Sequence, residues 1–337
     1  MAQSRLKSSD TEPLSFFSVP YQDESYYSIL CRYMVHSGLP SSHKTLTTLF
    51  GKKICPGSTL LLPYMSHVIS QRLNPETGIT EDTLICRHTA FHYFRISYRA
   101  KEAAVILDRV KNGMKCGYRM SYRNSMASSY LRYCPVCAYE EKNEYGEMYW
   151  HRSHQLKGIM YCSKHGVKLK ESAIDLKSIK TAFIPASFAL MDIYRKTLDE
   201  VCNETEHCPE DRIKKYRTIQ KDIEWIMGTG EKVPDLEATI LLYKKVLSQN
   251  REVKYDNGRI NDIPGLKRML KDTLGSDFLE SLHLNLHEYF EWESAPIVIA
   301  KYLTPLQHVL LMEFLCGSVE AFFTMKMDGI RYNCPGI

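Results

Sequence analysis

Two short cysteine motifs constrain the fold of this chain more than any other feature. CPVC occupies residues 134–137 and CSKH occupies residues 162–165, with 24 residues between them. A two-residue gap lets both ligands of a pair reach one ion from a tight turn, and four protein ligands close a tetrahedral Cys3His shell. Because catalytic zinc keeps a position open for water, a closed shell predicts one structural Zn²⁺ ion. The predicted ligands are Cys134, Cys137, Cys162 and His165.

Other histidines and cysteines offer weaker metal sites. His151 and His154 lie between the two pairs and could supply an alternative ligand, although hydrogen-bonded loop histidines are the simpler interpretation. A second site could begin at Cys202, His207 and Cys208, but no matching pair follows. The isolated cysteines are interpreted as small buried hydrophobic residues and not as a disulfide framework. They are Cys31, Cys55, Cys86, Cys116 and Cys316.

No catalytic motif accompanies the metal motif. The chain has no phosphate-binding P-loop, no Gly-x-Ser-x-Gly elbow and no HExxH sequence, and its carboxylates are scattered. A zinc-dependent nuclease would need an open ligand position, which a Cys3His shell denies. We therefore expect no enzymatic activity.

Length and composition indicate several ordinary globular domains. A chain of 337 residues exceeds one compact core, and 44% hydrophobic with 25% charged residues excludes a disordered chain or a fibre. No stretch approaches the roughly 20 apolar residues of a membrane helix, and no secretory signal is present, so we expect a cytoplasmic protein associated with the nucleoid and without membrane contact. Residues 1–19 are expected to form a flexible arm, 20–130 an N-terminal helical domain, 131–175 a zinc-finger domain resembling a zinc ribbon, and 176–337 a C-terminal helical domain.

Apolar periodicity predicts a mainly α-helical fold with two helical hairpins. Ile29, Leu30, Tyr33 and Met34 share one helix face, which ends at residues 38–40, and a second helix then runs to Gly51. This spacing is typical of a helix-turn-helix unit, and equally of a plain helical hairpin.

The C-terminal half repeats this pattern. Apolar residues from 263 to 274 are followed by Gly275 and a second apolar run to Leu282, with Lys267, Arg268 and Lys271 on the polar side. Core packing alone accounts for these stripes, and DNA contact is the alternative. Further helices are predicted near 236–247 and 303–323.

A basic, tyrosine-rich segment runs from Arg95 to Arg132. Nine Lys or Arg residues there are accompanied by only Glu102 and Asp108. Such a segment can pair with phosphates and stack on bases, although a solvated basic face is the alternative. The candidate DNA contacts are Lys44, Arg95, Arg99, Lys115, Arg119, Tyr122, Arg123 and Arg132.

Four sequence blocks resemble the TniQ/TnsD family, in the family's order. They are VPYQDESYYSILCRYMVHSG, LPSSHKTLTTLFG, HTAFHYF and the segment LRYCPVCAYEEKNEYGEMYWHRSHQLKGIMYCSKHGVKL. Together they extend from about residue 19 to about residue 170. The last block, which contains both cysteine pairs, is the most specific.

The resemblance implies a target selector of a multi-component cut-and-paste transposon. Such proteins bind double-stranded DNA at an attachment site, or alternatively dock on a CRISPR Cascade complex whose guide RNA chooses the target. Both kinds recruit the AAA+ ATPase regulator TnsC, and thereby the transposase subunits. The family's zinc positions carry over to the four predicted ligands, and its N-terminal helical unit carries over to residues 23–51.

Beyond residue 175 the resemblance reduces to helical patterning. Longer members continue with a Gly-Pro-Trp-Pro-Cys segment near the point where this chain reads RYNCPGI, with Cys334 and Pro335. We therefore expect either a truncated piece of a longer member or a naturally short member that lacks this tail.

Overall fold

The computed structural model describes residues 12–114, 126–249, 255–256, 259–260, 262–282 and 303–325. Helices dominate these ranges, which confirms the mainly helical expectation, and short strands form two small sheets. The strands are β1 (Tyr130–Tyr133), β2 (Lys170–Asp175), β3 (Tyr255–Asp256) and β4 (Arg259–Ile260). Within the described ranges, no helix is both long enough and apolar enough to cross a bilayer.

The α-helices are numbered in chain order. They are α1 (Tyr26–His36), α2 (Ser42–Phe50), α3 (Ser66–Ser70), α4 (Glu81–His88), α5 (Phe91–Arg95), α6 (Ala100–Lys111), α7 (Pro135–Tyr145), α8 (Ala186–Ala189), α9 (Leu198–Asn203), α10 (Glu210–Thr229), α11 (Leu236–Gln249), α12 (Ile263–Leu274), α13 (Ser276–Ser281), α14 (Pro305–Cys316) and α15 (Val319–Thr324). Short 3₁₀ turns lie at Pro56–Thr59, Pro75–Thr77, Ser153–Gln155, Ser178–Lys180, Met191–Arg195 and Gly230–Lys232.

The described residues divide into two compact units. The first contains residues 12–91, 104–114 and 126–208. The second contains residues 92–103 and the described residues from 209 onward. Each unit has its own buried apolar residues, such as Leu30 in the first and Ile223 in the second.

The first two helices end close to where the sequence predicts. Ser25 caps α1 by accepting a hydrogen bond from the Ser28 backbone, and Ser41 caps α2 in the same way from Lys44. Helix α2 ends at Gly51, whose φ of 64° lies in the left-handed region that glycine adopts without strain. The two helices therefore form as predicted, whereas their function as a helix-turn-helix unit stays a prediction.

A two-stranded antiparallel sheet organises the middle of the first unit. Strands β1 and β2 pair with Arg132 opposite Glu171 and Tyr133 opposite Lys170. Leu131, on β1, is fully buried. This pairing brings together two segments that are about 40 residues apart in the chain.

The second unit packs helices around α10 and α14. Ile219, Ile223 and Ile226 recur along one face of α10 and are fully buried. Thr304 and Gln307 form a capping box that starts α14. Helices α12 and α13 meet at Gly275, as predicted, and Arg268 and Lys271 are exposed on α12.

Candidate metal centre and its surroundings

The sheet brings the two cysteine pairs to the same place. Strand β1 ends at Tyr133, directly before Cys134, and β2 begins at Lys170, five residues after His165. Because Tyr133 and Lys170 are paired across the sheet, both motifs emerge at the same end of the ladder.

The first pair forms the N-terminal turn of α7. Cys134 is the N-cap residue, and its sulfur accepts a hydrogen bond from the Cys137 backbone at 3.4 Å. Pro135 occupies the first helical position, where no backbone donor is needed. The positive end of the helix dipole therefore lies at these sulfurs.

The second pair lies in a tight hairpin turn. Tyr161 bridges to Lys168, and the Cys162 backbone N–H donates to the Val167 carbonyl at 2.8 Å. Gly166, with a φ of 66°, closes the turn by donating to the Cys162 carbonyl. The hairpin directs Cys162 and His165 toward α7.

The four ligand atoms have the separations of a tetrahedral metal site. All lie within 4.8 Å of one another. Nδ1 of His165 is 3.5 Å from the sulfur of Cys134, 3.3 Å from that of Cys137 and 3.6 Å from that of Cys162. An ion bound at about 2.0–2.3 Å would place tetrahedral ligands roughly 3.3–3.8 Å apart. This cluster can therefore hold a metal ion.

Burial makes three neighbouring thiolates unfavourable without a counter-charge. The three cysteines are buried, and the sulfurs of Cys137 and Cys162 are 3.6 Å apart. Hydrogen bonds from Cys134 and Cys137 lower the pKa of Cys162, so that one thiolate is held by two thiols. A bound cation would allow all three to ionise.

Neighbouring side chains orient the ligands. Nε2 of His165, on the far side of the ring from the sulfurs, lies 3.1 Å from Glu140. Lys164 is paired with the same carboxylate at 2.5 Å. His154, which is buried, hydrogen-bonds Cys162. A carboxylate behind a metal-binding imidazole fixes its tautomer and ring orientation.

His151 lies between two carboxylates. Its Nε2 is 2.6 Å from Glu141 and its Nδ1 is 3.6 Å from Asp23. Burial alone would lower the pKa of His151, but the two carboxylates outweigh it and raise the pKa to about 10. Cys137, Glu141 and His151 also form a group that is close enough to hold an ion.

Asp23 connects the segment between the two cysteine pairs to the start of α1. Its carboxylate accepts from Nε of Arg152 at 2.9 Å and from the hydroxyl of Ser153. Burial would raise the pKa of Asp23, but His151 and Arg152 together hold it well below its ordinary value.

Two further residues of the segment between the cysteine pairs form hydrogen bonds with other parts of the first unit. Trp150 is fully buried and donates from Nε1 to the Ile184 carbonyl at 2.9 Å. Gln155 exchanges hydrogen bonds with the backbone N–H and carbonyl of Arg132. Asp23, Trp150, Arg152 and Gln155 were not predicted from the sequence as residues of the site. The run YGEMYWHRSHQ, rich in aromatic and charged residues, is the sequence feature that could have indicated them.

The candidate DNA contacts occupy different environments. Lys44 is exposed on α2, and Arg132 is buried on β1, where Nη2 donates to the Leu156 carbonyl at 2.9 Å and burial lowers the pKa to about 10. Both belong to the first unit. In the second unit, Arg95 donates to the Val233 carbonyl and Arg99 pairs with Glu237 at 3.2 Å. Lys115, Arg119, Tyr122 and Arg123 lie outside the described residues.

The remaining metal candidates do not join a cluster among the described residues. Cys202 is exposed and Cys208 is buried, and neither belongs to a group of three close ligand atoms in the part of the chain that the structure describes. Of the isolated cysteines, Cys31 is buried, Cys86 and Cys316 are half-buried, and Cys55 is exposed; Cys116 lies outside the described residues.

Comparison with known proteins gives a family match over the segment that contains the metal cluster. The TniQ family model matches residues 15–169. A segment of 156 residues is 31% identical to the Transposon Tn7 transposition protein TnsD of Escherichia coli, which corresponds to 44% of this chain and 30% of that protein. The chain therefore spans about a third of the length of this curated relative. Residues 15–169 include all four members of the metal cluster, and also the segment between the cysteine pairs whose residues Arg152 and Ser153 contact Asp23.

Proposed function

This chain carries a TniQ domain and is a TniQ/TnsD-family protein, and we propose from this premise that it selects the target site of a multi-component cut-and-paste transposon. It would bind double-stranded DNA at the target, recruit the AAA+ ATPase regulator TnsC and thereby bring in the transposase. It would act by binding and not by catalysis. The observation that carries this proposal is the TniQ match over the domain that encloses the metal cluster.

We further propose that the cluster binds one structural Zn²⁺ ion. Three sulfurs and one imidazole nitrogen are the ligands that zinc prefers, and their separations fit its bond lengths. Cys134 and Cys137 would hold it from α7, and Cys162 and His165 from the hairpin turn. Structural zinc contributes roughly 10–16 kcal/mol in small finger peptides, which is comparable to the net stability of a whole domain.

In this proposal the metal centre supports the helices that contact DNA. The loop after α7 packs on the start of α1 through Asp23 and Trp150. Helix α2 then follows, with Lys44 in its exposed first turn and Lys52 and Lys53 exposed beyond its end. In helix-turn-helix proteins the first turn of the second helix contacts the bases and nearby phosphates. We therefore propose α2 as the helix that enters the major groove.

Selection of DNA from a random duplex library tests this function. The full chain, loaded with zinc, should enrich a defined sequence, and fluorescence anisotropy should show tighter binding to that duplex than to a scrambled one. Lys44→Ala should weaken binding and reduce the salt slope by about one. The matched control is Lys168→Ala, since Lys168 is a surface lysine of the same unit that is paired with Glu206.

Two results would contradict direct DNA reading. Failure to enrich any sequence would contradict site-specific binding. Equal losses of DNA affinity for Lys44→Ala and Lys168→Ala would contradict the assignment of α2 to the DNA interface. Copurification with a guide-RNA complex in place of duplex binding would indicate the Cascade-docking alternative, which the comparisons do not favour. Recruitment is tested separately, by cosedimentation of purified TnsC with the chain on the selected duplex.

A further inference from the structure

Two adjoining cavities lie along the C-terminal half of α1 in the first unit. One has a volume of about 580 Å³ and is lined by Met34, Val35, Leu39, Pro40 and Phe188. The other has a volume of about 540 Å³ and is lined by Tyr21, Arg32, His36, Tyr145, Glu147, Phe188 and Tyr194. Because Val35 and Phe188 line both cavities, the two form one continuous surface feature, which we call the α1 groove.

Large apolar side chains are exposed in the α1 groove. The exposed fractions of Val35, Tyr145, Phe188 and Tyr194 lie between 40% and 59%. Monomeric proteins rarely leave such side chains clustered in water, and clusters of this kind mark interaction sites. The apolar part of the α1 groove therefore favours a partner with a bulky apolar side chain.

The backbone behind these side chains is held in place. The Tyr194 hydroxyl donates to the Gly146 carbonyl at 3.2 Å, and the Met148 backbone N–H donates to the Ser187 hydroxyl at 2.8 Å. Trp150 holds the segment before α8 through the Ile184 carbonyl. A preformed surface of this kind loses little conformational entropy when a ligand binds.

The second cavity ends in a carboxylate. Glu147 accepts from the Tyr21 hydroxyl at 3.0 Å and from Nε of Arg32 at 2.8 Å, and it pairs with His36 at 2.9 Å. Arg32 also pairs with Glu24 at 2.8 Å, so that two carboxylates share one guanidinium.

Aromatic faces adjoin this carboxylate. Tyr21 stacks on Tyr145 with ring centroids 4.3 Å apart. Exposed Glu144 accepts a hydrogen bond from Tyr145 and places a negative charge beside that side chain. Aromatic faces beside carboxylates are a favourable environment for a lysine or arginine side chain.

We propose that the α1 groove docks a short peptide segment of a partner protein that carries a bulky apolar side chain and, a few residues away, a lysine or arginine. The apolar side chain packs against Val35 and Phe188. The cation lies against Tyr145 beside Glu144 and Glu147. This inference goes beyond the proposed function, because it involves no DNA and is measured without DNA.

Random peptides displayed on phage provide the probe. They are selected on the full zinc-loaded chain, and an enriched peptide is then synthesised with a fluorophore and titrated by anisotropy. The enriched peptides should share a bulky apolar residue and a Lys or Arg. Phe188→Ser and Glu144→Lys should each weaken binding by about tenfold or more, because they alter the two ends of the α1 groove.

The matched control is Leu241→Ser, which removes an apolar side chain of similar exposure from the second unit. It should leave the affinity unchanged, and all three variants should keep the thermal midpoint of the wild type. The proposal is overturned if no peptides converge, if the enriched peptides are acidic, or if Phe188→Ser binds them as the wild type does. It is also overturned if sedimentation shows a dimer that Phe188→Ser dissociates, since a second copy would then cover the surface.

Discussion

Arg152→Ala tests whether the contacts around Asp23 hold the first unit together. Arg152 is 9% exposed. Its Nε donates to Asp23 at 2.9 Å, and its Nη1 donates to the carbonyls of Cys86 and Thr89 at 2.6 and 2.7 Å. The substitution removes all three bonds and leaves the Asp23 carboxylate without its guanidinium.

The expected loss of stability follows from this geometry. Removing one partner of a buried ion pair costs roughly 3–5 kcal/mol. The Asp23 side chain is 25% exposed and keeps its contacts with His151 and Ser153, so the lower end of that range applies. We expect Arg152→Ala to lower the free energy of unfolding by about 3 kcal/mol, a large part of a typical 5–15 kcal/mol.

Urea unfolding measured by tryptophan fluorescence is the assay. Replacing Trp225 and Trp292 with Phe leaves fully buried Trp150 as the reporter of the first unit. With a slope of roughly 1–3 kcal/mol/M, a loss of about 3 kcal/mol moves the midpoint by about 1 M or more.

Lys168→Ala is the matched control for this measurement. It breaks an ion pair of the first unit, with Glu206, in which the two side chains are 45% and 62% exposed, so it should cost less than about 1 kcal/mol. Arg152→Lys keeps the charge but not the forked geometry, and should fall between the two. If Arg152→Ala and Lys168→Ala shift their transitions equally, the contacts around Asp23 do not carry the stability assigned to them.

Three further predictions concern the metal, the pH and the core. Cys162→Ala should release the metal and lower the ellipticity, whereas Cys202→Ala, at an exposed cysteine, should keep both; metal analysis and circular dichroism decide. The pKa of His151 rises from an ordinary value near 6.5 to about 10 on folding, so its stabilisation is complete below about pH 6.5 and is lost as the pH rises toward 10, at up to about 1.4 kcal/mol per pH unit. His151→Gln should flatten that decline in urea titrations at several pH values, and an unchanged slope would exclude His151 as its source. Leu30→Ala should cost about 2–5 kcal/mol in the same assay, because Leu30 is fully buried on α1.

Local patterns in the sequence predicted the elements that depend on near neighbours. The end of α2 at Gly51 was predicted, and Gly51 acts within four residues of its own position. Ser25, which caps α1, was not singled out in the sequence. The metal cluster was also predictable, because the two-residue gaps place each pair in one turn. Zinc itself stays a proposal, since the cluster shows the ligands and not the ion.

Contacts between distant residues were not predictable in the same way. Asp23 resembles an ordinary acidic residue before a helix, yet its partner Arg152 lies 129 residues later. Arg132 was grouped with a basic segment, although it is buried and donates to the carbonyl of Leu156. Charge counted along a chain does not distinguish an arginine that faces water from one that donates to backbone carbonyls inside the fold.

The metal cluster and the α1 groove share one helix, and this predicts that they are coupled. Helix α7 begins at the first cysteine pair and ends at Tyr145, and Glu147 follows within two residues. Loss of the ion would release the start of α7, so the aromatic and acidic end of the α1 groove would lose its position. Chelation should therefore abolish binding of the selected peptide, and added Zn²⁺ should restore it.

Peptide binding and the circular dichroism spectrum are measured on the same samples, as Zn²⁺ is removed by the chelator and then added back. Mg²⁺ serves as the control addition, because it prefers oxygen ligands and has little affinity for a Cys3His cluster. If the peptide binds the metal-free chain with unchanged affinity while the helical ellipticity falls, the α1 groove does not depend on the metal cluster. The coupling would then be wrong even though the metal site and the groove were each correct.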